Sequence, residues 1–93
     1  MKELFISECT EYEEGWGSKP DGFLISESID VMEAEIKRIN DLDTYAYFLR
    51  FTEPQKIFCE KKTYDLIVEK FEGKGFSHYS NNGLKGLELY KKL

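Results

Sequence analysis

Residues 2–26 read KELFISECTEYEEGWGSKPDGFLIS, and how their two apolar ends pair decides the fold. At the start, Leu4 and Ile6 fall on one side of an extended chain while Phe5, Ser7 and Cys9 fall on the other, the period-2 pattern of a strand. GFLISES, from residue 22 onward, reads as a second strand. Between them lie turn formers: in KPDG, Pro20 presets φ and Gly22 accepts a positive one. The expectation is an antiparallel hairpin with a long connection over residues 11–22.

Further along, SESIDVMEAEIKRINDLD places Ile29, Met32, Ile36 and Ile39 at i, i+3, i+7 and i+10. That spacing predicts an amphipathic helix over about 28–39, capped by Ser26 or Ser28, with Asp30 in the first turn where negative charge is favoured. TYAYFLRF puts Tyr45, Tyr47, Leu49 and Phe51 on one face and Ala46 and Phe48 on the other. Apolar groups on both sides predict a central strand. Pro54 lacks a ladder donor and interrupts it, and KIFC is a short further strand. A second helix is predicted over about 61–72 from the stripe Tyr64, Ile67, Val68 and Phe71, with GKG as its stop.

FSHYSNNGLKGLELYKK carries Asn82-Gly83, a two-residue hairpin signal because both positions tolerate φ > 0. A turn there sets Phe76 opposite Leu89, His78 opposite Leu87 and Tyr79 opposite Gly86. His78 then shares a face with Leu87 and is expected to be a buried, hydrogen-bonded structural residue. The order of elements predicts a single α+β domain over residues 1–93: an antiparallel sheet of about five strands with two helices packed on one face. A ferredoxin-like variant with parallel central pairing is the alternative.

The 93 residues suffice for one domain, and 41% apolar with 15% aromatic residues supply a core. Apolar runs are too short for a membrane span, and MKELFISE lacks the features of a signal peptide, so a cytoplasmic protein without a membrane partner is expected. Cys9 and Cys59 form no CxxC pair and read as reduced, partly buried thiols. Net charge is −5, unevenly spread: residues 1–43 hold 12 acids against 4 Lys/Arg, residues 44–93 hold 6 against 9. This balance argues against direct nucleic-acid binding and permits an acidic face that meets a basic partner.

Catalytic chemistry finds little local support. His78 is the one histidine, and a nucleophile made from Cys9 or Cys59 with His78 has no local signature. One His and two separated Cys do not fill a tetrahedral metal site without carboxylates, and Asp41-Leu42-Asp43 lacks the spacing of a calcium loop. GWG and GKG match no phosphate-binding fingerprint. The row Tyr45, Tyr47, Phe51 lacks the Gly-aromatic motif and the basic residues of an RNA platform. The expectation is a non-enzymatic protein with no cofactor and no metal.

Trp16, between two glycines, is either a lid folded over the sheet edge or an aromatic anchor for a partner. Glu8, Glu11, Glu13 and Glu14 precede it; Lys19 follows, and Asp21 is positioned to close the turn on a backbone N–H. These seven residues form the candidate partner-binding patch, an apolar centre with a charged rim. The stretch WGSKPDGFLI resembles small phage-borne proteins that carry a W-G-x-[RK]-P-D-G-[FY] turn between two strands, followed by an acidic amphipathic helix. The matching residues are Trp16, Gly17, Lys19, Pro20, Asp21, Gly22 and Phe23. The resemblance implies a phage or mobile-element accessory protein and no established activity. The acidic segment from Glu8 to Glu14 and the Trp16 loop lead to the expectation of a protein that inhibits a host or defence protein, in the manner of anti-CRISPR or anti-restriction proteins, by occluding a basic nucleic-acid-binding surface. An exposed sheet edge permits pairing with a second copy, so a monomer or homodimer is expected. Two other readings stand beside it: a nucleotide-signal sponge with Trp16 stacking on a base and Lys19 or Lys74 meeting phosphate, and a structural phage protein.

Overall fold

The computed structural model describes residues 1–42, 47–80 and 89–91. In it, β1 (Lys2–Glu13) and β2 (Gly17–Ser26) form one long antiparallel hairpin. Its turn is tight: the Trp16 N–H donates to the Glu13 carbonyl at 3.0 Å, with Gly15 at φ 83°. Most of the expected connection is therefore strand, with Glu11 opposite Lys19, Tyr12 opposite Ser18 and Glu13 opposite Gly17. KPDG is no turn. Pairing steps from Glu8 with Phe23 to Thr10 with Pro20, so Asp21 and Gly22 together oppose Cys9 in a β-bulge. A bulge and a turn ask for the same residues, Gly at positive φ and a proline that donates no ladder bond, which is why the sequence read as a turn.

Helix α1 (Ile29–Asn40) follows at once, with Ser28 as its cap accepting from the Val31 N–H at 3.3 Å. Ser26 serves the junction instead, donating to the Gly75 carbonyl at 2.6 Å and accepting from the Ser28 N–H at 3.0 Å. Ser28→Ala is expected to cost about 1 kcal/mol in a urea titration, the usual worth of a cap.

Strand β3 (Tyr47–Phe51) pairs with the outer half of β1, from Cys9 opposite Phe51 to Glu13 opposite Tyr47. Strand β4 (Gln55–Cys59) pairs with the inner half, from Lys2 opposite Cys59 to Ile6 opposite Gln55. Residues 52–54 break the run between them; there Ser7 Oγ donates to the Thr52 carbonyl at 2.5 Å. Helix α2 (Lys61–Glu69) leads to β5 (Phe76–Tyr79), and β6 (Leu89–Lys91) ends the fold.

The sheet order is β5-β2-β1-β4-β6, with β3 off that path beside β1, and every pairing is antiparallel. The structure is thus a small α+β fold with a six-stranded antiparallel sheet and two helices, and the parallel alternative does not hold. Nor is β3 central: among the described residues it pairs with β1 alone. Asn82-Gly83 lies outside the described residues. The register expected across it fails where it is testable, because Phe76 pairs with Ser26 and Leu89 with Cys59, at opposite edges of the sheet.

Alternation along β1 and β2 divides the interior into two layers. Leu4, Ile6, Ile25, Ile57 and Cys59 cluster with Ile67 of α2, Phe71 and Tyr79. Ser7, Cys9, Leu24 and Ser26, on the opposite face by the same alternation, are also buried. Helix α1 covers that side. It lies along β2 and β3, a groove shared with Phe51 runs along its Ile36, and its Met32 is buried outside the α2 cluster. The helices take opposite faces, where one shared face was expected: a helical stripe fixes which side of the helix is buried but not which side of the sheet receives it. No helix among the described residues is long and apolar enough to cross a membrane.

Candidate functional site

Extension of the hairpin carries its tip well beyond the helices' main cluster, and Trp16 stands there with 83% of its surface exposed. It is no lid. Glu11 and Glu13, two residues apart on β1, share a face, and Lys19 opposite Glu11 forms an ion pair with it at 3.8 Å. With Trp16, Gly17 and Ser18 they line a shallow groove of about 210 Å³. On the other face Tyr12 stacks on Phe48 with ring centres 5.0 Å apart and planes 13° from parallel, and the Arg50 guanidinium lies 4.4 Å from the Phe48 ring centre. This stack braces β1 against β3, so the tryptophan is presented on a supported arm.

Of the seven candidate residues, the structure brings Glu11, Glu13, Trp16 and Lys19 together. Glu14 lies at the turn, on the side lined by Tyr12 and Phe48. Glu8 and Asp21 sit at the bulge instead. Asp21 closes no turn: its carboxylate lies 4.0 Å from the thiol of Cys9.

A second grouping was not legible in the sequence. One donor atom each from Cys9, Asp21 and His78 lie within 4.8 Å of one another. His78, opposite Leu24, is exposed rather than buried; β5 is an edge strand, paired among the described residues with β2 alone. The carboxylate that was missing from the cysteine-histidine inventory is supplied by the bulge. Burial, then the charges of Asp21 and Glu11, push the Cys9 thiol up to about 11. A nucleophilic cysteine needs the opposite shift. Roughly one Cys9 in a thousand is ionised at pH 8 on that value, so its alkylation in the folded protein is expected to be much slower than that of a free cysteine. Cys59 is likewise buried, and burial raises its thiol too. Timed alkylation with peptide mapping checks both; rapid labelling of Cys9 in the folded protein would contradict the buried, protonated thiol.

No family model, curated protein or solved structure matches this chain.

Proposed function

We propose that this chain is a non-enzymatic binding protein that docks the Trp16 hairpin tip into a pocket on a partner protein and lays Glu11 and Glu13 against a basic surface beside it. The observation that carries the reading is the exposure of Trp16 at the end of a supported arm. Burying an exposed indole on binding removes a large apolar area from water, which is why tryptophan dominates hot spots. Carboxylates at its rim speed encounter with a cationic partner and select against anionic ones. The partner class that fits is a protein whose Lys and Arg normally hold nucleic acid. Occlusion of that surface makes the chain an inhibitor of a host or defence protein, a reading that also draws on the resemblance of WGSKPDGF to the turn of phage-borne proteins.

Capture from bacterial lysate with the tagged protein, at low and moderate salt and with W16A alongside, tests the proposal. The expected result is one basic partner that is lost in W16A and diminishes with salt. A partner retained equally by W16A, or none from a folded bait, overturns it.

A further inference from the structure

The bulge that ended the turn reading also builds a site. Where two residues of β2 face one of β1, the local twist rises and side chains are re-aimed. Cys9 is the single residue on β1, and Asp21 is one of the two opposite it. The third strand arrives because Gly22 has no side chain: a Cβ there would lie 1.9 Å from the Tyr79 carbonyl oxygen. That close approach seats β5 against the bulge and sets His78 beside Asp21. The three donors run from a buried floor, Cys9, through half-buried Asp21, to exposed His78 at the mouth.

We propose that Cys9, Asp21 and His78 bind one divalent, borderline-soft transition-metal ion of the Zn²⁺ class. Thiolate, carboxylate and imidazole are the three side chains such ions take. Calcium and magnesium, which require oxygen ligands, do not suit a site with one sulfur and one nitrogen. Metal–ligand bonds of about 2.0–2.3 Å in a tetrahedron place neighbouring donors roughly 3.3–3.8 Å apart. The donors here lie within 4.8 Å, with Cys9 Sγ and Asp21 Oδ2 at 4.0 Å. Side-chain rotations that shift the donors by up to about 1.5 Å close the difference.

Charge balances as well. The Cys9 S–H bond breaks, its electron pair forms the metal–sulfur bond, and the proton leaves to solvent. Thiolate and carboxylate then neutralise the dication, with imidazole as the uncharged ligand. With His78 exposed, water is available as the fourth ligand. A bound ion cross-links β1, β2 and β5 at a place distinct from the Trp16 groove, so this inference does not depend on the binding proposal.

The test uses the metal-free full chain and Co²⁺ as an optical probe. The expected result is a saturating 1:1 spectrum with a thiolate-to-cobalt charge-transfer band, displaced by Zn²⁺. C9S removes the charge-transfer band. H78Q, at an exposed position that leaves folding intact, weakens the apparent affinity at least tenfold, and C59A changes neither. Zn²⁺ at about a hundredfold its dissociation constant raises the melting temperature by roughly 11–22 °C. Absence of a saturating spectrum, a charge-transfer band that survives C9S, or wild-type affinity in H78Q overturns the assignment. H78Q keeps the test decisive if C9S fails to fold.

Discussion

Gly22→Ala is expected to destabilise the fold by at least about 3 kcal/mol, lowering the melting temperature by on the order of 12–24 °C for a domain of this size. Two effects add. Gly22 sits at φ 95°, outside the conformations an L side chain adopts without strain, which alone costs roughly 1–2 kcal/mol. The added Cβ would also lie 1.9 Å from the Tyr79 oxygen, 3.0 Å from its carbonyl carbon and 3.1 Å from Ser80 Cα. These are backbone atoms. No rotamer change relieves the overlap, so β5 must part from β2, and with it the contact between Phe23 and Tyr79. Gly15→Ala separates the two effects: Gly15 has φ 83° with open space around its Cβ direction, so only the backbone cost of about 1–2 kcal/mol applies. Thermal unfolding followed by circular dichroism distinguishes them. If G22A melts within a few degrees of G15A, the close packing of β5 on the bulge is wrong.

That glycine also marks the limit of what sequence pattern discloses. Leu4, Ile6 and Ile25 alternate cleanly with Phe5, Ser7 and Leu24, and the strands they define are present. The segment from Thr10 to Asp21 is polar and largely exposed on both faces, so no apolar alternation exists there to read. Its Pro and Gly spoke of a turn when the chain uses them in a bulge. Helix α1 was legible because Ser28 and the isoleucine stripe act locally. The placement of Trp16 was not, since a glycine-flanked tryptophan reads equally as lid or anchor until the length of the hairpin is known. The face assigned to His78 rested on a register across Asn82-Gly83, whereas β5 finds its partner in β2, more than fifty residues earlier. Cys9, Asp21 and His78 share no local spacing. They meet only through two long-range pairings and a missing Cβ, information that no window of sequence contains.

Trp16→Ala is expected to reduce affinity for the captured partner by at least about 30-fold, or about 2 kcal/mol, the threshold of a hot spot. The same change should move the melting temperature by less than about 2 °C, because 83% of the side chain is exposed and little packing is lost. That combination separates an anchor from a structural residue: a lid would lose stability along with binding. Glu11→Gln and Glu13→Gln should behave differently. Glu13 lies at the rim, and Glu11, whose side chain is only 13% exposed, already shares its charge with Lys19 at 3.8 Å, so each is expected to change affinity only a few-fold, mainly through a slower on-rate and a weaker salt dependence. Titration calorimetry and surface-binding kinetics at two salt concentrations read both effects. Should the glutamates dominate and Trp16 prove neutral, the interface would be electrostatic, and the pocket that the anchor requires on the partner would have no support.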